Sequence, residues 1–194
     1  MQFKRQMLLL FALLALMWGV ELADVLIFRP QGVTLDQFGI VPRSIPGLYG
    51  ILFAPFLHAG FAHLLGNTLP FLILGWLIIL RRPQDFAVVS LIVLLVSGFG
   101  TWLIGANGIH LGASGMVFGY LGFLLLAGWF DRRLNSVLLS LTVGVVYGGL
   151  LWGVLPNQPG VSWEEHLCGL LGGGLAARLR APGAWLAGRG RAWS

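Results

Sequence analysis

Charged residues are scarce in this chain, since Asp, Glu, Lys and Arg together make up 10% of its 194 residues. Soluble domains carry roughly 25% charged residues, whereas 57% of this chain is apolar. The composition therefore excludes an ordinary soluble globule and indicates that most of the chain faces lipid or is buried against itself. Cys168 is the single cysteine, so an intrachain disulfide is excluded as well, and packing is its simplest role.

The sequence also lacks the patterns that mark two other classes of protein. A pI near 10.4 suits a nucleic-acid partner only if the basic residues form one patch, but here they lie between long apolar runs. We therefore predict no nucleic-acid partner. No His-Glu-x-x-His zinc motif occurs, and a metal site built from His63, Asn67 and His166 would have no carboxylate or thiolate except Cys168. The sequence predicts neither a metal nor another cofactor.

Six apolar segments are long enough to cross a membrane, which takes about 20 residues each. They are residues 7–28, 61–80, 86–104, 114–130, 134–155 and 164–180. The first segment follows Lys4 and Arg5 as in a signal peptide, but it continues past Val20 without a small-residue cleavage site, so we interpret it as a retained span. We predict an all-α membrane protein: one six-helix transmembrane domain over residues 1–194, in a bacterial inner membrane.

Lys and Arg are distributed unevenly between the two ends of these segments. With the N-terminus in the cytoplasm, ten of the 12 lie on the cytoplasmic side and only Arg29 and Arg43 lie outside. Cytoplasmic flanks are enriched in Lys and Arg, so the distribution predicts an N-in, C-in topology. Residues 181–194 then form a short basic cytoplasmic tail.

Four polar side chains are predicted to meet in the outer layer of the membrane. Polar groups inside a membrane are costly, which makes each one a functional candidate. Counted from the cytoplasmic end of each span at about 1.5 Å per residue, His63, Asn67, Ser114 and His166 lie roughly 27, 21, 25 and 21 Å deep. In a hydrocarbon core about 30 Å thick, these residues from three spans share one layer.

Ser114 stands between two glycines, Gly112-Ala113-Ser114-Gly115, where a loop becomes a helix. A serine at a helix start is ordinarily an N-cap, and that alternative stays open. The glycines leave room for a substrate backbone, and the helix N-terminus offers N–H groups to a developing oxyanion. These features predict a catalytic nucleophile.

His166 is the candidate general base for Ser114. A lone histidine in an apolar helix is also often a structural group. Here it extends a stripe of small residues that includes Gly169, and a similar stripe starts at Gly115 in the fourth span, which favours close approach of the two helices. Glu164 and Glu165 are predicted to sit at the outer rim, so a dyad is expected rather than a triad.

His63 and Asn67 are four residues apart and therefore share one face of the second span. Either they donate hydrogen bonds to an oxyanion, or they bond neighbouring helices as structural groups. His58 precedes the span and is predicted to have a supporting, structural role. His110 lies in a loop and receives no predicted role.

Three runs, taken together and in this order, resemble the motifs of the rhomboid proteases. They are His58-Ala-Gly-Phe-Ala-His63-Leu-Leu-Gly-Asn67, Gly112-Ala-Ser-Gly115 and His166-Leu-Cys-Gly169-Leu-Leu-Gly-Gly173, on the second, fourth and sixth spans. The resemblance covers about residues 8–180 and implies hydrolysis of peptide bonds in or near transmembrane segments of substrate proteins. It implies Ser114 as nucleophile, His166 as base and acid, and an oxyanion site of His63, Asn67 and the Ser114 N–H.

The resemblance further implies a first outer loop lying sideways in the outer leaflet, among membrane lipids, and a fifth span that acts as a gate. One departure concerns that loop, where many rhomboid proteases carry a Trp-Arg pair and this chain has Pro42-Arg43. Two alternatives are a catalytically silent relative, which usually lacks the serine or histidine, and a six-span transporter, which would show repeats or broken helices.

Overall fold

The computed structural model describes residues 1–156 and 160–182, and six long α-helices make up most of them. They are α1 (Gln2–Ala23), α2 (Phe61–Arg81), α3 (Asp85–Ile104), α4 (Ser114–Asp131), α5 (Leu134–Tyr147) and α6 (Trp163–Leu179). Within the described ranges there is no strand, only an isolated antiparallel bridge between Ile40 and His110. The all-α fold is confirmed. The predicted tail lies outside the described residues from residue 183 onward.

Within residues 1–156 and 160–182, five helical segments are long and apolar enough to cross a membrane: α2, α3, α4, and the segments Gln2–Gln31 and Leu134–Val154 that contain α1 and α5. The sixth, α6, has 17 residues and rises only about 26 Å, so it falls short of a typical span. The N-in, C-in orientation stays a prediction.

Two helices depart from regular α-helical geometry near one end. After α1 the chain continues as a π-helix, Asp24–Phe28, and a 3₁₀ turn, Arg29–Gln31, where the buried Asp24 carboxylate accepts hydrogen bonds from Arg29 Nε (2.6 Å) and Leu35 N (2.7 Å). After α5 it continues as a 3₁₀ helix, Gly148–Val154. That segment begins with two glycines, which have low α-helix propensity. With the turns that follow α1, the first helical segment covers Gln2–Gln31 and extends beyond its predicted bounds, 7–28, at both ends.

The fourth helix is the centre of the bundle. Twelve of its 18 residues are buried, including the large side chains Tyr120 and Phe123. It packs most extensively against α6 and then against α5. In contrast, only Ser136 and Val143 are buried in α5 and none in the 3₁₀ helix that follows it, so the segment Leu134–Val154 is the most peripheral of the five long apolar segments. The candidate serine is thus carried by the best-packed helix.

The backbones of α4 and α6 approach each other along glycines. A Cβ atom added to Gly169 would overlap the carbonyl group of Gly115, and one added to Gly173 would overlap that of Gly119. Such contact is open only to glycine, and small residues allow helices to pack this closely in lipid. The approach places the first turn of α6, with His166, beside the first turn of α4, with Ser114.

The long outer connection contains short helices that the sequence did not predict. They are Leu35–Phe38, Pro46–Leu48, Gly50–Phe53 and Ala54–Phe56. Each has only three or four residues, which is too few for a 3.6-residue periodicity to appear. Ile40, Ile51 and Ala54 bury against Trp102 of α3, and this packing fixes the connection over the end of the bundle that is predicted to face outward.

Candidate active site

One cavity, about 780 Å³ in volume, opens at the end of the bundle where α4 and α6 begin. Its lining includes Ser114, His166, His63 and Asn67. The loop before α4 and residues 160–162 before α6 complete the wall. The structure therefore brings together all four side chains that the sequence placed in one layer.

Ser114 is the first residue of α4, and its hydroxyl does not cap the helix. The N-cap position is Ala113, and no side chain caps this helix start. Ser114 lines the cavity, and its Oγ has no hydrogen-bond partner in the described part of the chain. The N-cap alternative is therefore wrong, and the hydroxyl is free to face a ligand in the cavity.

The turn before Ser114 requires a glycine at residue 112. Gly112 has a φ of +118°, a conformation that residues with a Cβ atom rarely adopt. A Cβ atom there would also lie 2.6 Å from Cε1 and 2.7 Å from Nε2 of His63. Gly112 thus lets His63 reach the wall of the cavity beside the serine.

His58 supports the turn before Ser114 through a hydrogen bond. Its Nε2 accepts a hydrogen bond from the N–H of Ala113 (3.4 Å), and Gly112 N donates to the carbonyl of Ala54 (2.9 Å). The His58 ring is buried and meets the His63 ring edge-on, with centroids 5.1 Å apart. Burial, and then the nearby charge of His63, lowers the pKa of His58 from 6.5 to about 4. His58 is therefore neutral at physiological pH, as an acceptor Nε2 requires.

The ring of His166 is fixed on two sides. It stacks on Phe118, with centroids 4.0 Å apart and an interplanar angle of 7°. Its Nδ1 lies 2.8 Å from the carbonyl oxygen of Gly153. A carbonyl oxygen only accepts, so Nδ1 carries the proton. In the neutral ring Nε2 is therefore the unprotonated nitrogen, which is the form that a general base needs.

His63 and Asn67 make no side-chain hydrogen bond to another helix within the described residues. The Asn67 amide donates to the carbonyl of His63 in its own helix at 3.2 Å, and the side chain is buried with 7% exposure. The amide has two N–H groups, so a second donor remains. This geometry gives no support to the structural alternative for these two residues.

The loop from 105 to 113 is held by His110 and Arg43, for which the sequence predicted no role in the site. His110 pairs with Ser162 Oγ through Nδ1 (2.5 Å) and with the Ala106 carbonyl through Nε2 (2.9 Å). Arg43 donates to the Gly105 carbonyl at 2.8 Å and to Asn107 Oδ1 at 2.9 Å. These contacts tie the first outer loop, the loop before α4 and the segment before α6 together. In the sequence, His110 stands four residues before Ser114, and this short distance was the only sign that His110 belongs to the site.

Glu164 and Glu165 lie at the start of α6, and loops cover both of them; their position at the outer rim stays a prediction. Each has 3% exposure. Glu164 accepts a hydrogen bond from the Ala106 N–H (2.9 Å). The Glu165 side chain lies beside Gly115, and its main-chain carbonyl accepts a hydrogen bond from Ser97 Oγ (3.2 Å). Both belong to the first turn of α6, which the outer loops cover. The ring nitrogen Nδ1 of His166 nevertheless meets a main-chain carbonyl and not a carboxylate.

These features define a class: a multi-pass helical membrane protein that brings Ser114, His166, His63 and Asn67 together around one cavity. In comparison with known proteins, the family model described as the Rhomboid domain matches residues 46–182. The chain therefore belongs to the rhomboid family. Family membership implies the activity of an intramembrane serine protease, a hydrolase that acts on transmembrane substrates.

Several relatives share much of the chain. An uncharacterized protein of Mycobacterium tuberculosis is 44% identical over 174 residues, which is 85% of this chain and 71% of the relative. An uncharacterized protein of Mycobacterium leprae is 43% identical over 175 residues, or 86% of this chain and 68% of that protein. RHOMBOID-like protein 1 of Arabidopsis thaliana is 30% identical over 156 residues, or 74% of this chain and 38% of that protein. The mycobacterial relatives are consistent with a bacterial inner membrane.

Proposed function

We propose that this chain is a serine endopeptidase that cleaves transmembrane segments of membrane proteins near the outer leaflet, with Ser114 and His166 as a catalytic dyad. One observation carries the proposal: the uncommitted Ser114 hydroxyl and the imidazole of His166, with its proton on Nδ1, share a cavity with two further donors. Buried side chains from all six helices form one core, which supports a single transmembrane domain.

In the proposed reaction, Ser114 Oγ attacks the carbonyl carbon of the scissile peptide bond while Nε2 of His166 takes the hydroxyl proton. The same proton then passes to the leaving amine nitrogen, the C–N bond breaks, and an acyl-serine ester remains. A water molecule attacks the ester with His166 again acting as base, which releases the acid and restores the serine. The Gly153 carbonyl holds the ring and stabilises the imidazolium that forms between these steps.

The oxyanion of the tetrahedral intermediate needs donors that are already in place. We assign this role to the second N–H of Asn67, the ring of His63 and the backbone N–H of Ser114. The N–H groups of the first turn of a helix have no partner within the helix, and Ser114 begins α4. His58 and Gly112 support these donors because they fix the turn against which His63 packs.

The proposed substrate is a transmembrane helix that unwinds at its outer end. A peptide bond inside a helix is protected by backbone hydrogen bonds, which lipid strongly favours. Substrates with Gly or Pro near the outer end of their span are therefore expected to be cleaved preferentially. Replacing those residues with Leu should suppress cleavage while leaving insertion intact; equal cleavage of the all-Leu substrate would contradict the proposal.

The deciding experiment reconstitutes the full chain in liposomes with a generic transmembrane substrate. Wild type and Ser44→Ala, a matched loss of one hydroxyl outside the cavity, should both cleave, whereas Ser114→Ala should be inactive although it folds. A fluorophosphonate should label the first two and not Ser114→Ala, and chelators should leave cleavage unchanged. An inert wild type would overturn the proposal and favour a silent relative, and an active Ser114→Ala protein would overturn the assignment of Ser114 as the nucleophile.

A further inference from the structure

A groove lies at the opposite end of the bundle, between α2 and α5. It has a volume of about 640 Å³. Leu77 and Leu80 of α2 and Leu139 of α5 form apolar walls, and Arg81, Arg133 and Asn135 line its polar part. Because α5 packs chiefly against α4, this space between α2 and α5 is not filled by side chains.

The polar part of the groove adjoins a buried cluster with more positive than negative charge. Asp85 is fully buried and accepts from Arg81 (2.8 Å), Arg82 (3.0 Å) and Arg180 (2.8 Å). A second aspartate, Asp131, pairs with Arg81. Three arginines therefore face two aspartates, so the cluster keeps an excess of positive charge.

Arg133 and the start of α5 add further attraction for an anion. Arg133 forms no ion pair in the described part of the chain and occupies the N-cap position of α5, which no side chain caps. The first-turn N–H groups and the helix dipole therefore favour a negative group there. Arg81, whose side chain is only 6% exposed, contributes a buried Nε–H that has no hydrogen-bond partner among the residues that the structure describes.

We propose that this groove binds an anionic phospholipid, with the phosphate at Arg133 and the first turn of α5 and an acyl chain along Leu77, Leu80 and Leu139. The charge selects an anion, and the apolar walls select a lipid over a soluble anion. Basic pockets between transmembrane helices are a recurring form of headgroup site. This lipid would bridge two helices that share little direct contact, at the end opposite the cavity.

The test measures lipid retention on the detergent-solubilised full chain by native mass spectrometry, with phosphatidylglycerol and phosphatidylcholine of the same acyl chains. Phosphatidylglycerol should bind more tightly than phosphatidylcholine. Arg133→Gln should lower the affinity for phosphatidylglycerol about tenfold, because a hydrogen bond to a charged group contributes about that factor. The matched control is Arg132→Gln, which removes the same charge from the neighbouring residue outside the groove and should retain the lipid. Equal losses in the two variants would overturn the proposal, because attraction would then be diffuse.

A second variant and a competitor separate the remaining explanations. Asn135→Asp places an acidic group in the first turn of α5, where it favours the helix, so this variant folds and yet should reject phosphatidylglycerol. Glycerol phosphate at millimolar concentration should not displace the lipid. Competition by glycerol phosphate at the lipid's own affinity would show that the groove binds a soluble anion, and equal binding of the two lipids would show that it does not select an anionic lipid; either result overturns the proposal.

Discussion

Gly153→Ala tests whether a main-chain carbonyl orients the candidate base. Gly153 lies in the 3₁₀ segment after α5, and a Cβ atom there would stand 2.9 Å from Phe118 Cζ and 3.2 Å from His166 Nδ1. Both separations are shorter than ordinary van der Waals contact. The ring of His166 must therefore shift, which disturbs its hydrogen bond to Gly153 and its stacking on Phe118 together.

The expected loss follows from these two contacts. A hydrogen bond contributes about 1 kcal/mol and an aromatic pair about 0.5–1.5 kcal/mol. If both are lost, the competent orientation becomes less favourable by about 2 kcal/mol, which lowers the rate roughly 30-fold. The loss should appear in kcat, with KM little changed, because the ring acts on the reacting atoms and not on the rest of the substrate.

The chain supplies a matched control in the same segment. A Cβ atom at Gly149 would meet nothing within 4 Å, so Gly149→Ala should cleave at the wild-type rate. Both variants are compared in liposomes at saturating substrate after their folding is checked by thermal unfolding. If Gly153→Ala keeps the wild-type kcat, or if Gly149→Ala loses as much, the carbonyl does not position His166.

Three further predictions address the donors and the turn around the serine. Asn67→Ala should lower kcat by about 10²–10³, measured in the same assay; a change confined to KM would favour a structural role. Gly112→Ala should abolish cleavage and lower the unfolding temperature, because residue 112 has a φ of +118° and its Cβ would overlap His63; normal activity would show that the turn can relax. His58 has a folded pKa of about 4 against 6.5 when unfolded, so the unfolded chain binds an extra proton between these values and stability should fall by up to about 3 kcal/mol as pH drops from 6.5 to 4. Unfolding of wild type and His58→Gln across this pH range should show a smaller loss in the variant, and parallel curves would refute the assignment.

The sequence predicted those features that depend on composition and depth. Long apolar runs define the helices, and the depth of Ser114, His166, His63 and Asn67 along their helices brings them to one cavity. The rise of an α-helix is constant, so a position along a span converts directly to a depth. Helix starts that were predicted from this pattern differ little from the observed ones in α2, α3, α4 and α6.

Features that depend on the main chain or on loop packing could not be predicted. The partner of His166 is the carbonyl of Gly153, and every residue has such a carbonyl, so no residue type marks it. The burial of Glu164 and Glu165 depends on the loops that cover the first turn of α6. A sequence pattern does not show how such loops pack. Asp24 and Glu21 are buried in the extended first helix, where Arg29 pairs with both of them.

The position of Gly153 links the orientation of the base to the most peripheral part of the bundle. Ser114 and the turn before it are fixed by the best-packed helix, α4. In contrast, the Gly153 carbonyl that holds His166 belongs to a 3₁₀ segment with no buried residue. The bond is 2.8 Å long, and a displacement of about 1 Å would break it. Few buried contacts oppose such a displacement. Full activity therefore requires this 3₁₀ segment to stay within hydrogen-bond distance of His166, so the orientation of the candidate base depends on the least buried part of the bundle.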